Sequence, residues 1–203
     1  MSQIKHVVFD LGKVLVDFSY TQLFPLLRHH GAPIRDVEDF AVRARLVEYE
    51  LGQISTKEFL QEINALLNHP LSENEFQSAW CGIFTPIPQM LSLARRLQTQ
   101  FGVYIISNTS EMHWNYLRER FSLTELCLDS FASFEVGQMK PGAAIYAAAE
   151  KRFNFTAVEA VFIDDRPENV AGAKACGWQA IQHQSYGQTR DALIDLGLNL
   201  PAG

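Results

Sequence analysis

The 203 residues carry 17 Lys and Arg against 23 Asp and Glu, a formal net charge of -6, and are 47% hydrophobic and 20% charged. This is the composition of a globular protein with one sizeable core plus an insertion. Its acidic balance disfavours nucleic-acid binding, which needs a cationic surface facing phosphates. No apolar run reaches the length of a membrane span, and the N-terminus lacks the layout of a secretion signal. Cys81, Cys127 and Cys176 are scattered without CxxC spacing, so reduced thiols in a cytoplasmic protein are expected rather than a disulfide framework or a zinc site.

The run from Val7 to Phe9, closed by Asp10 and a turn at Gly12, reads as a buried strand ending on a carboxylate. In an open α/β sheet that end is where ligands bind, although an Asp there is also an ordinary turn or helix cap. From Asp17 onward helical spacing takes over. Leu23, Leu26, Leu27 and His30 mark one helix, broken at Gly31-Ala32-Pro33. Val42, Leu46, Tyr49 and Glu50 mark a second, closed by Gly52. Ser55 or Thr56 caps a third, whose apolar face is Phe59, Ile63, Leu66 and Leu67. Ser72 and Glu75 form a capping box opening a fourth through Phe76, Ala79 and Trp80. Residues 17–86 therefore read as an inserted helical cap, with 1–16 and 87–203 as the core.

Beyond Pro86 strands and helices alternate. Met90, Leu93, Ala94 and Leu97 form a helix face with Pro88 in its first turn. Val103 to Ile106 is a strand ending on Ser107-Asn108-Thr109, and Trp114, Leu117 and Phe121 lie on the next helix. Phe131 to Phe134 is a short strand, and a loop from Glu135 to Lys140 leads through Pro141 into a helix over 143–152. Ala160 to Ile163 is a strand ending on Asp164-Asp165, and Pro167 opens a helix that Gly177 stops. Gln179 to Ile181 is a last strand, with one more helix expected after Gln188. This alternation implies βαβ units and an α/β, Rossmann-like, mostly parallel sheet flanked by helices.

A parallel sheet places all its strand C-termini on one edge, so Asp10, Ser107, Asn108, Lys140, Asp164 and Asp165 are expected to converge there. Asp10 with Asp165 offers hard oxygen ligands for Mg²⁺. Ser107 can donate to a phosphate oxygen, and Lys140 adds positive charge where anions crowd. Asn169, four residues after Asp165, is placed to orient it. His29, His30 and His113 lack metal-ligand spacing and read as surface or core histidines. Trp80 and Phe84 read as core or interface aromatics able to line a pocket, and Asp17 and Phe18 as hinge residues able to touch substrate.

The order Phe9-Asp10-Leu11-Gly12, Ile106-Ser107-Asn108, Lys140-Pro141 and Phe162-Ile163-Asp164-Asp165 with Asn169 resembles the haloacid dehalogenase superfamily of phosphohydrolases, across essentially the whole chain. The Phe9-Asp10-Leu11-Gly12 wording, with Glu50, Gly52, Ile54 and Ser55 in the cap, resembles a bacterial subgroup that includes the alpha-D-glucose-1-phosphate phosphatase. The resemblance implies that Asp10 attacks phosphorus to form an aspartyl-phosphate, a covalent step that divides one displacement into two. It further implies that Lys140 and Mg²⁺ offset negative charge, and that Ser107 and the amides near Asn108 hold the phosphoryl group. Asp10, the carbonyl of Gly12 and Asp165 would ligate the metal, with Asp164 either a second ligand or a group behind it. The implied substrate is a small phosphorylated metabolite such as a sugar phosphate.

One position departs from the family pattern. Most phosphatases of the family carry a second aspartate two residues after the nucleophile, as general acid and base; here that residue is Gly12. Such a group contributes about 10²–10⁴ in rate, so Gly12 predicts either a bias toward good leaving groups, such as an anomeric sugar phosphate, or slow turnover. Lys13 reads as a solvated lysine. A metal-free halocarboxylic acid dehalogenase, a phosphomutase and a non-catalytic binder of a phosphorylated ligand are the competing readings. The carboxylate pair Asp164-Asp165 argues against the first of these, because without a cation it would repel an ionised Asp10.

Overall fold

The computed structural model describes residues 4–21 and 23–200. After β1 (His6–Phe9), the chain enters a two-stranded antiparallel ribbon of β2 (Val16–Phe18) and β3 (Phe84–Pro86). The remaining strands, β4 (Gly102–Ser107), β5 (Asp129–Ala132), β6 (Ala160–Asp164) and β7 (Gln179–Gln182), join β1 in a parallel sheet of order β5-β4-β1-β6-β7. The expected α/β architecture is therefore present, with β1 at the centre. Successive strands step outward from β1 through β4 to β5, then return to its other side at β6. The strand order reverses there, and such a switch point opens a crevice beyond the strand ends. Phe9 lies level with Ile105 and Ile163, so Asp10, Ser107 and Asp164 emerge close together on one edge.

Side chains alternate across the central strands, as the pleat requires. Val7, Phe9, Val103, Ile105, Val161 and Ile163 face one apolar layer. Helices α6 (Pro88–Leu97), α7 (Glu111–Arg120) and α12 (Tyr186–Asp195) cover it through Met90, Leu93, Leu97, Trp114, Leu117 and Leu193. Val8, Tyr104, Ile106 and Phe162 face the opposite layer, under α10 (Ala143–Phe153) and α11 (Pro167–Ala175). Burial on both faces explains why these strands are continuous apolar runs. Two short helices, α8 (Leu123–Leu126) and α9 (Ser133–Val136), flank β5.

Between β2 and β3 lie α1 (Leu23–His29), α2 (Val37–Arg43), α3 (Leu46–Glu50), α4 (Thr56–Ala65) and α5 (Glu73–Cys81). They enclose an apolar cluster of their own, which includes Phe40, Tyr49, Phe59, Phe76 and Trp80. Tyr49 stacks on Phe59 at 4.2 Å and Phe76 on Trp80 at 5.7 Å between ring centroids. Capping boxes at Ser55 with Glu58 and at Ser72 with Glu75 start α4 and α5. Among the described residues, no helix is long and apolar enough to cross a membrane.

Four local expectations are corrected. The helix expected from Val42 to Glu50 is two, because Arg45 takes a left-handed conformation at φ 54°, with its exposed guanidinium paired to Glu48 and Glu62. Val42, assigned to its apolar face, is 80% exposed. The strand expected over Phe131 to Phe134 lies at Asp129–Ala132, and Ser133 begins a helix instead. The last helix starts at Tyr186 rather than after Gln188, with Ser185 accepting from the Gln188 N–H as its cap.

Candidate active site

Asp10 leaves the end of β1, where its N–H still donates to the Ile163 carbonyl at 2.8 Å, continuing the sheet ladder. Lys140 approaches from the loop before α10 and is only 4% exposed. Its ammonium donates to Asp10 Oδ1 at 2.6 Å, Asp164 Oδ2 at 2.7 Å and the Ile106 carbonyl at 3.2 Å. Three donors thus meet three acceptors, as a buried ammonium requires. The Asn108 amide grips the Lys140 backbone, donating to its carbonyl at 2.8 Å and accepting from its N–H at 2.9 Å. The Asn108 side chain is therefore committed to positioning Lys140, which leaves its backbone for a ligand.

The two adjacent aspartates differ in surroundings. Asp164 is fully buried and accepts from Lys140, from the Arg166 N–H at 2.9 Å and from the Asn169 amide at 3.0 Å on both oxygens. Its lone pairs are largely used. Asp165, just past the strand, is half-buried and faces the cleft. The expectation that Asn169 orients Asp165 is corrected, since its amide holds Asp164. The spacing argument failed because Asp165 and Arg166 precede α11, so no helical turn connects Asp165 to Asn169.

Electrostatically the site is over-supplied with negative charge. Burial pushes the Asp10 carboxyl above the usual carboxylate range, against the opposing pull of Lys140. Burial, and then the charge of Asp164, raise Asp165 as well. Burial disfavours the Lys140 ammonium, but Asp10 and Asp164 outweigh it and hold its pKa above the ordinary lysine value. One lysine thus faces three carboxylates whose oxygens lie within 4.8 Å of one another. With Asp164 saturated by donors, Asp10 and Asp165 are the carboxylates left for a divalent cation, and hard carboxylate oxygens suit one.

These groups open onto a cleft of about 210 Å³. Asp10, Gly12, Ser107, Asn108, Lys140 and Asp165 all line it, so these sequence-derived candidates reach one place, with Asp164 buried behind them. Phe18 and Phe84 line it as anticipated. Trp80 instead sits in the cluster of α1 to α5, and Asp17 is exposed and ion-paired with Lys13. A Cβ on Gly12 would meet the Phe18 ring at 3.1 Å, so Phe18 occupies the room above the glycine. His113 was read as a surface or core histidine; it is buried and also lines the cleft. It stacks on Trp80 at 4.3 Å, and its Nε2–H donates to the Trp80 carbonyl at 2.9 Å. Burial pushes its pKa down to about 3, so the ring is neutral.

Sequence reasoning missed Tyr20, Arg166 and Glu50 as cleft residues. Glu50 ends α3, and its carbonyl accepts from Ser133 Oγ at 2.6 Å. Ser133 Oγ also accepts from the Thr109 N–H at 3.1 Å, tying this helix end to the loop after β4. Gly52, two residues on at φ 69°, lies so close to Phe134 that a Cβ would come within 2.5 Å of its carbonyl oxygen. The pairing of Glu50 with Gly52 was a usable signal: the glycine lets the helix end dock, and docking fixes the glutamate over the cleft.

A parallel sheet whose polar groups gather at the strand ends around a small cleft is the arrangement of a small-molecule site. The chain belongs to the family of haloacid dehalogenase-like hydrolases, which it matches over residues 4–177. It is 28% identical over 200 residues to the D-ribitol-5-phosphate phosphatase of Bacteroides thetaiotaomicron, covering 94% of this chain and 97% of that one. It is 28% identical over 176 residues to a sesquiterpene phosphatase of Aspergillus oryzae, covering 85% and 86%. A haloacid dehalogenase family enzyme of Bacteroides thetaiotaomicron, solved with magnesium and inorganic phosphate, shares the fold with a TM-score of 0.81. That match covers 89% of this chain and 94% of the other at 23% identity.

Proposed function

We propose that this hydrolase is a Mg²⁺-dependent phosphatase of a small hydrophilic phosphate ester, a sugar or polyol phosphate, working through an aspartyl-phosphate on Asp10. The observation that carries this reading is the pairing of Lys140 with only one oxygen of Asp10. The other oxygen is left for phosphorus, at the floor of a cleft that also presents Ser107 and Asp165. The family membership and the two phosphatase relatives support phosphoryl transfer. The volume of the cleft, about 210 Å³, supports a small ester over a long terpenoid chain, with Glu50 and Arg166 available as polar partners.

Asp10 attacks phosphorus and the ester oxygen departs; water then cleaves the acyl-phosphate to release inorganic phosphate. Lys140 holds Asp10 in place and offsets the charge that gathers as carboxylate meets phosphate. Ser107 and the backbone at Asn108 receive the phosphoryl oxygens. Asp10, Asp165 and the Gly12 carbonyl would hold Mg²⁺, which when bound supplies charge neutralisation and orients the phosphate. Residues 17–86 act as the cap, closing the cleft against water through Phe18, Tyr20, Glu50 and Phe84. The three free thiols support a reducing, cytoplasmic setting.

The test is phosphate release from an aryl phosphate with Mg²⁺, then with chelator, then with Asp10→Asn. Release that needs the metal and vanishes in the variant is expected. Chloride release from a 2-halocarboxylate without metal would replace this reading with a dehalogenase, and inactivity in both assays with a binding role.

A further inference from the structure

Resting on the phosphatase reading, we propose that Glu50, carried across the cleft on the helical insertion, is the general acid and base that Gly12 cannot provide. Gly12 carries no side chain, and a Cβ built there would come within 3.1 Å of Phe18 Cε1. Protonation of the leaving oxygen must therefore come from elsewhere. Among the described residues, the carboxylates lining the cleft are Asp10, Asp165 and Glu50. The first two lie on the sheet edge, on the phosphate side. Glu50 comes instead from the helical insertion, at the end of α3, and reaches the cleft from there.

Its placement is rigid, because the Ser133 bond to its carbonyl and the contact of Gly52 with Phe134 anchor the end of α3. Its protonation suits the task. Burial pushes the carboxyl up to about 7, with the nearby Arg166 cation opposing part of the rise. Acid and base forms are then both populated near neutrality, the condition for a group that must first give and then take a proton. The other titratable groups facing it do not compete. His113 is held neutral and its Nε2–H is committed to the Trp80 carbonyl. Tyr20 is pushed above the ordinary phenol range by burial and by Glu50 itself. Lys13 is engaged with Asp17 and the Phe18 carbonyl.

In the first step a bond forms from Asp10 to phosphorus, and the phosphorus–ester oxygen bond breaks. Its electron pair takes the Glu50 proton, so the alcohol departs neutral and Glu50 is left as carboxylate. In the second, Glu50 takes a proton from water as the water oxygen bonds to phosphorus. The Asp10–phosphorus bond breaks, yielding inorganic phosphate, ionised Asp10 and reprotonated Glu50. A poor alkyl leaving group is then accessible in spite of Gly12.

The experiment measures kcat/KM with Mg²⁺ on an aryl phosphate series from 2,4-dinitrophenyl to phenyl phosphate, for wild type, Glu50→Gln and Glu50→Asp. In wild type the rate should depend weakly on the leaving group. In Glu50→Gln the phenyl to dinitrophenyl ratio should fall by a further factor of about 10²–10³, the alkaline limb of the kcat/KM profile near 7 should disappear, and Glu50→Asp should fall between. An unchanged ratio in Glu50→Gln, or a loss confined to KM, would make Glu50 a binding residue and overturn the proposal. If Glu50→Gln does not fold by circular dichroism, the Glu50→Asp slope decides, and a wild-type slope there overturns it. Wild-type activity that Asp10→Asn fails to abolish would instead bring down the phosphatase reading and this inference with it.

Discussion

Replacing Lys140 with methionine tests whether the ammonium holds the site together. Methionine keeps most of the length and the apolar stem, so the change is chiefly one of charge and hydrogen bonding. The lysine side chain is 1% exposed and makes three hydrogen bonds, two of them to carboxylates at 2.6 and 2.7 Å. Its removal leaves Asp10 buried without its cation, while Asp164 keeps Asn169 and the Arg166 N–H. Breaking a buried pair from one side costs about 3–5 kcal/mol. For a domain of this size each kcal/mol moves Tm by roughly 2–4 °C. Calorimetry in chelator should therefore show Lys140→Met melting roughly 6–20 °C below wild type. Asp10→Asn in the same background should recover part of the loss, giving a coupling energy within the range of about 0.5–3 kcal/mol expected for contacting residues. A variant melting within about 2 °C of wild type, or strictly additive single and double variants, would refute the reasoning.

Asn169→Ala removes two contacts to Asp164 and should cost about 1–3 kcal/mol in urea unfolding. Mg²⁺ should still raise its Tm, whereas Asp165→Asn should lose that metal-induced shift. His113 should make the fold acid-sensitive. Its folded pKa, down to about 3, lies below its unfolded value of 6.5, so the unfolded chain binds more protons between those pH values. Stability from this group is complete above about pH 6.5 and is lost as pH falls toward 3, by about 1.4 kcal/mol per unit. The stability difference between wild type and His113→Gln should therefore shrink by about 3 kcal/mol between pH 7 and pH 4.5; a pH-independent difference would count against the buried neutral ring.

Strands β1, β4 and β6 were legible because both their faces are buried, which turns each into an apolar run with polar punctuation at its end. The capping boxes were legible because both partners lie within four residues. The break at Arg45 was not, because no glycine or proline marks it: an arginine takes the left-handed backbone between two runs that share helical spacing. The ribbon of β2 and β3 was invisible for a related reason: its strands are three residues each and pair across the whole helical insertion. Residue types at the sheet edge revealed which groups converge, but not which of Asp164 and Asp165 is free. That depends on donors brought by Lys140, Asn169 and the start of α11. Glu50 was read as a position in a helical pattern and in the cap resemblance, without a role in the site, and its place over the cleft follows from the docking of α3 on Ser133 and Phe134.

The difference between Asp164 and Asp165 is what permits a metal at this edge. Two adjacent carboxylates with equal freedom would compete for the same cation and for Lys140. Here the strand ends at Asp164, which points inward to the lysine and to the first turn of α11, and four hydrogen bonds from Lys140, Arg166 and Asn169 occupy its oxygens. Asp165 falls outside the ladder and keeps its oxygens for the cleft. Lys140 divides one positive charge between Asp10 and Asp164, so Asp10 and Asp165 retain an uncompensated excess, and burial raises the pKa of both. A divalent cation cancels that excess, and a monovalent ion would leave half of it. The site therefore calls for a dication before any phosphate arrives. Mg²⁺ should accordingly raise Tm without substrate, while Na⁺ at equal ionic strength should not.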